Sequence, residues 1–145
     1  MQRFKRETTL SIEIRRKDLE KIIRHSNETY PAESCGILLG RRDGEVKKIQ
    51  MVCPTRNMLN SKDAYEIDPK EQLEVYMMAD ELSMEVLGYY HSHPDWPAQP
   101  SNTDRAKANQ PGCSYIIHSN LTGETRSYVW EGRDFKPETL KIADD

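Results

Sequence analysis

The run His91-Ser92-His93 is followed after seven residues by Ser101, and Asp104 lies three further on, so three side chains that bind zinc well fall within fourteen positions. The text Gly88-Tyr89-Tyr90-His91-Ser92-His93-Pro94 reads as the end of a short strand, Val86 to His93, rich in β-branched and aromatic residues. On a strand, side chains at i and i+2 point to one face. His91 and His93 therefore project together and can share one ion, at nitrogen distances of about 2.0–2.1 Å for zinc. Asp104 is the candidate third ligand.

Two histidines and one carboxylate leave a tetrahedral zinc with an open fourth position, which marks a catalytic rather than a structural site. Zinc there lowers the pKa of water from 15.7 to about 7. Hydrolysis also needs a base that takes a proton from water and returns it to the leaving amine. Glu33, in Tyr30-Pro31-Ala32-Glu33-Ser34-Cys35-Gly36, stands at the mouth of an apolar strand and is the candidate; the competing reading is a surface glutamate after a helix. Ser101-Asn102-Thr103-Asp104 also fits a capping box with Ser101 as N-cap, a role compatible with metal ligation by Asp104.

The elements that must hold these residues follow from periodicity. Thr9 to Ile14 alternates as an edge or half-buried strand, and Lys17 to Tyr30 carries Leu19, Ile22, Ile23 and Ser26 at helical spacing. Cys35 to Leu39 is a short buried strand ended by Gly40, and Asp43-Gly44 predicts a hairpin to Val46–Val52. A polar loop over Pro54 to Ala64 and an extended piece from Tyr65 to Ile67 precede Asp68-Pro69, an N-cap with proline at the first helical position. That helix should run to about Met84 and pack Leu73, Tyr76, Met77, Ala79 and Leu82 on the core. After the His strand come a loop restricted by Pro94, Pro97 and Pro100, a short helix from about Thr103, and strands over Ser114 to Ser119 and Thr125 to Trp130. The expected order is β-α-β-β-α-β-α-β-β, one α/β unit with a mixed sheet and a frayed end at Asp144-Asp145.

At 145 residues the chain has the length of a single domain, 1–145. Its 24 acids and 21 bases leave a net charge of −3, which indicates neither a nucleic-acid partner nor an acidic tail. The basic residues near the start, such as Arg3, Lys5 and Arg6, are not followed by a long apolar run, so no signal peptide or membrane anchor is expected. Cys35, Cys53 and Cys113 are odd in number and lack CxxC spacing, which points to a reducing, cytoplasmic setting. Cys35 reads as a small buried thiol, His25 and His118 as structural, and Trp96 and Tyr90 either line a substrate cleft or pack.

The upstream glutamate and the His-x-His, seven residues, Ser, two residues, Asp pattern resemble the JAMM, or MPN-plus, zinc metallopeptidases, and the flanking texts look like the small prokaryotic members. The resemblance covers most of the chain. It implies a mixed sheet flanked by helices, similar to cytidine deaminases, and one zinc per chain on His91, His93 and Asp104. It further implies Glu33 as general base and acid and Ser101 as oxyanion support. The implied activity is hydrolysis of peptide or isopeptide bonds after the C-terminal Gly-Gly of a ubiquitin-like or sulfur-carrier protein, whose tail could add beside a sheet edge, with Asn57 to Asp68 as a cleft wall. The enzyme is expected to be a cytoplasmic monomer or homodimer. A noncatalytic MPN-type scaffold is the alternative; a zinc nucleoside deaminase would need His-x-Glu and Pro-Cys-x-x-Cys, which are missing.

Overall fold

The computed structural model describes residues 11–145. Its elements are β1 (Ser11–Arg15), α1 (Arg16–Thr29), β2 (Cys35–Asp43), β3 (Val46–Thr55), α2 (Pro69–Glu81), β4 (Glu85–His93), α3 (Asn102–Lys107), β5 (Ser114–Ser119), β6 (Thr125–Trp130) and β7 (Phe135–Ala143). The mixed α/β architecture is the expected one, with one addition. The strands close into a barrel in the order β1-β3-β2-β4-β5-β6-β7, with β7 returning to pair with β1 in parallel. The predicted β1 is therefore no edge: it pairs with β3 and β7, and Ile12 and Ile14 are fully buried. Thr9 and Leu10 lie outside the described residues.

Strand alternation separates two apolar layers. Ile12, Ile14, Leu38, Ile49, Val52, Leu87, Tyr90 and Ile116 pack with Ile22 of α1. The opposite faces of the same strands give Ile37, Leu39, Cys53, Tyr89 and Tyr115, which pack with Ala79 of α2. Gly36 is required opposite Tyr90, because a Cβ there would collide with the Tyr90 ring and the Cys53 carbonyl. With that ring in place, the Tyr90 hydroxyl reaches Nδ1 of His25 at 2.7 Å and ties α1 to the sheet. Tyr90 is thus a packing residue and His25 a structural one.

The α2 helix departs from the expected packing. Asp68 caps it by accepting from Lys70 N–H at 2.9 Å, and Pro69 opens it. Gln72, Val75, Tyr76 and Ala79 form the i, i+3, i+4, i+7 stripe that faces the barrel. Leu73, Met77 and Leu82, expected in the core, are exposed; the helix is apolar around more of its circumference than one barrel face can cover. It also stops at Glu81 rather than Met84, as Ser83 takes a positive φ of 55°. The extended piece around Tyr65 to Ile67 makes only a single bridge, Ile67 to Asn57.

Candidate metal centre

The pairing of Cys35 with His91 and Ile37 with Tyr89 puts these side chains, beyond the register shift near Leu87, on one face, the α2 side. His91 and His93 stand there together, 1% and 3% exposed. Asp104 comes from the first turn of α3. Ser101 is the N-cap of that helix: its Oγ accepts from Asp104 N–H at 3.0 Å, while Ser101 N–H donates to Asp104 Oδ2 at 2.9 Å. The capping box read from the sequence is thus the device that aims the carboxylate.

The three donor groups converge. Nε2 of His91 and Nε2 of His93 are 3.2 Å apart, and each is 3.1 Å from an oxygen of Asp104. Tetrahedral zinc ligands at about 2.0–2.1 Å have neighbouring donor atoms roughly 3.3 Å apart, close to these spacings. Tautomers point the same way. His93 Nδ1–H donates to Pro97 O at 2.8 Å, so a neutral ring turns the lone pair of Nε2 toward the Asp104 carboxylate. Two electron-rich atoms facing each other need a proton or a cation between them, and a backbone carbonyl on the far ring nitrogen is the usual support of a metal-ligating histidine. His91, Nδ1 of which has no partner, is held by the Tyr65 ring stacked on it at 4.6 Å. Burial alone would raise the Asp104 pKa, but positive charge at the histidine side of the carboxyl, supplied by a proton or by an ion in its place, and the Ser101 N–H hydrogen bond outweigh it and hold the carboxyl well below the usual range. The triad fits a metal ion.

Glu33 is no surface residue. It is 3% exposed, and its Oε1 is buried without a hydrogen-bond partner. Desolvation, then the nearby charges of Asp104 and Asp63, push its pKa up to about 9, against a smaller opposing pull from Lys107. Its place is set from both sides: Glu33 N–H donates to Ser61 O, and the Asn57 amide donates to Glu33 O and Ala64 O. Next to it, Ser34 N–H donates to Ser92 Oγ at 2.8 Å, Ser34 Oγ meets the same oxygen at 3.0 Å, and Ser92 N–H donates back to Ser34 O. The serine between the two histidines is thus a cross-strand clamp on the glutamate segment, a function that its place in the sequence does not announce.

Two clefts meet at the triad. The larger, about 520 Å³, includes His91 and Asp104 and is walled by Tyr65, Tyr89, Tyr115 and Phe135. The smaller, about 200 Å³, includes His93, Glu33 and Ser101 together with Trp96, Asp63 and Asp95. The segment expected as a cleft wall contributes to both, through Tyr65 to Ile67 in one and Lys62 and Asp63 in the other. The loop after His93 is pinned at three successive carbonyls: Ser119 Oγ donates to Trp96 O, His93 to Pro97 O, and the Tyr128 hydroxyl to Ala98 O. Cys35 faces the same side as His91, but burial raises its thiol pKa to about 11, and its sulfur lies against Thr55. All three cysteines are free. His118 is structural, with Nδ1 2.8 Å from Thr125 Oγ1.

A buried two-histidine, one-carboxylate cluster near a second buried carboxyl has the groups that a metallohydrolase centre needs. Comparison with known proteins makes the class specific. Residues 15–131 match the family described as prokaryotic homologs of the JAB domain. A desampylase of Haloferax volcanii is 33% identical over 128 residues, covering 85% of this chain and 90% of the relative. A CysO-cysteine peptidase of Mycobacterium tuberculosis is 30% identical over 127 residues, covering 85% and 86%. The solution structure of a Desulfitobacterium hafniense protein superposes with a TM-score of 0.85 at 31% identity, covering 92% of this chain and 94% of that one. The chain belongs to the prokaryotic JAB-domain family, the small prokaryotic members of the JAMM, or MPN-plus, metallopeptidases. Among the described residues, no helix is long and apolar enough to cross a membrane.

Proposed function

We propose that this protein is a zinc peptidase that hydrolyses the bond after the C-terminal Gly-Gly of a ubiquitin-like or sulfur-carrier protein, with one zinc per chain, in the cytoplasm. The observation that carries the reading is the convergence of His91 Nε2, His93 Nε2 and the Asp104 carboxylate at 3.1–3.2 Å beside the buried, unpartnered carboxyl of Glu33. The names of the desampylase and CysO-cysteine peptidase relatives support the substrate class, and three free cysteines accord with a reducing compartment. The cytidine-deaminase-like description of the fold is carried over with the family, and superposition on a deaminase sheet tests it.

His91, His93 and Asp104 hold the ion. When bound, zinc supplies a Lewis acid that makes hydroxide available near neutral pH. Glu33 takes the water proton at its carboxylate, the form that a cation held beside it would favour, and returns it to the leaving nitrogen. Ser101 Oγ accepts from Asp104 N–H, which leaves its hydroxyl hydrogen free to donate to a developing oxyanion at the triad, where the two clefts meet. The seven strands follow one another round a closed order, with β1 meeting β3 at Val46 to Lys48. The larger cleft, bordered by the extended backbone of Tyr65 to Ile67, receives the tail.

The test incubates purified protein with a ubiquitin-like protein fused through its Gly-Gly end to a peptide, with added zinc or with chelator, and reads intact masses. Metal-dependent cleavage after the second glycine is expected. A zinc-loaded protein that leaves several such fusions intact would reduce the chain to a scaffold.

A further inference from the structure

The two clefts divide the substrate between them. A group that protonates a leaving nitrogen must approach it to about 2.6–3.2 Å, and Glu33 lines only the smaller cleft. On the function proposed above, the amine half of the substrate therefore occupies that cleft and the acyl tail the larger one. The step balances: the water oxygen bonds to the acyl carbon, the C–N bond breaks, and the proton taken by Glu33 goes to the departing nitrogen. The amine is released and protonated by solvent, leaving a glycine carboxylate.

The chemistry of the smaller cleft decides which amine fits. Trp96 presents a 53% exposed indole over a loop whose carbonyls are fixed by Ser119, His93 and Tyr128, so a large flat apolar surface stands at a set place. Asp63 and Asp95 line the same cleft and make no ion pair among the described residues; the Tyr30 hydroxyl reaches Asp95 at 3.5 Å. Lys62 is the one basic side chain of the lining. Four methylenes of a lysine side chain lie well along an indole, and the nitrogen, gaining positive character as Glu33 protonates it, is favoured by the ring face and the two carboxylates. A free cysteine held by its α-amine offers no such stem, and its own carboxylate, next to the scissile nitrogen, would sit among Glu33, Asp63 and Asp95.

We propose that Trp96 is a specificity-determining residue which, with Asp63 and Asp95, selects a lysine side chain as the leaving half of the substrate over the α-amine of a free amino acid such as cysteine. The test pairs two conjugates with the same ubiquitin-like half, joined through the terminal glycine either to a lysine ε-amine in a peptide or to the α-amine of cysteine. Zinc-loaded wild type should favour the lysine conjugate. Trp96→Ala should lose about tenfold in kcat/KM on it, through KM, and less than about twofold on the cysteine adduct, while Trp96→Phe keeps most of the preference. Independently of turnover, Nα-acetyl-lysine methylamide titrated into the zinc-loaded protein should shift the Trp96 indole N–H resonance, leave that of buried Trp130 in place, and bind more weakly to Asp63→Asn/Asp95→Asn. Equal losses on both conjugates, a wild-type preference for the cysteine adduct, or a Trp96 resonance that ignores the lysine analogue overturns the assignment. If neither conjugate is cleaved, the peptidase reading falls, and the titration alone still decides the lysine site.

Discussion

The general-base role proposed for Glu33 falls on a carboxyl that is buried, has no hydrogen-bond partner at Oε1 and is shifted to about 9. Glu33→Gln should keep a full metal-to-protein ratio by elemental analysis and lose about 10²–10⁴ in turnover, the usual worth of a general base. The same shift predicts a pH effect on the metal-free protein. Between about 4.5 and 9 the folded state holds a proton on Glu33 that the unfolded chain has released, so stability falls as pH rises through that window and levels off above it. Denaturant unfolding in chelator should show a steeper decline for wild type than for Glu33→Gln; parallel curves would contradict the burial argument. Ser101→Ala removes the cap on α3 and should cost about 0.5–2 kcal/mol. If Ser101 also supports the oxyanion, turnover drops about 10²–10³ with metal retained; a drop in metal content instead would assign Ser101 to aiming Asp104 alone. The grouping of His91, His93 and Asp104 was legible because their residue types and spacing suit one shared ion; the burial of Glu33 was not, because a glutamate after a helix reads as readily as a surface residue. Ser92 and Asn57 were not, because a hydroxyl or an amide has no role until a partner distant in sequence is known.

The junction of β2 with β4 is where the glutamate segment meets the histidine strand. Ser92→Ala leaves the buried Ser34 N–H without its 2.8 Å acceptor, a loss of about 1–3 kcal/mol. Thermal unfolding should register it, and turnover should fall while zinc stays bound, since Glu33 rather than the ligand set loses its support. Most elements were readable from alternation and turn residues: β5 and β6 run over the residues expected of them. The strand β7 was not. Pro137 argues against a strand in the middle of Phe135–Ala143, and Glu138 breaks the apolar alternation. Both are accommodated: Pro137 lies opposite Tyr128, and Glu138 is buried against Ser114 and Ser127 at 2.8 and 2.7 Å. The outward ridge of Leu73 and Met77 escaped for the opposite reason, because periodicity marks a face as apolar without saying whether anything covers it.

Across the whole barrel, a polar cluster joins four strands. Lys47 of β3 donates to Ser114 Oγ of β5 at 2.8 Å and stands 3.8 Å from Glu138 of β7, which also accepts from Ser127 of β6. Lys47→Met alone strands a buried carboxylate and should cost about 3–5 kcal/mol. Lys47→Met combined with Glu138→Leu should recover much of that loss in denaturant unfolding; a double variant no better than the single would mean that the cluster matters through its hydroxyls.

The seam that completes the ring pairs Ser11 with Thr139, so the first described strand waits for one of the last to be synthesised. Domains on the ribosome gain structure as their segments emerge, and contacts of such long sequence separation form late. The histidine strand and the helix that carries the aspartate are translated well before that seam can zip. Nascent chains arrested after residue 131, short of β7, should therefore expose an unzipped flank to chaperones, and only the emergence of Phe135–Ala143 ends that vulnerability.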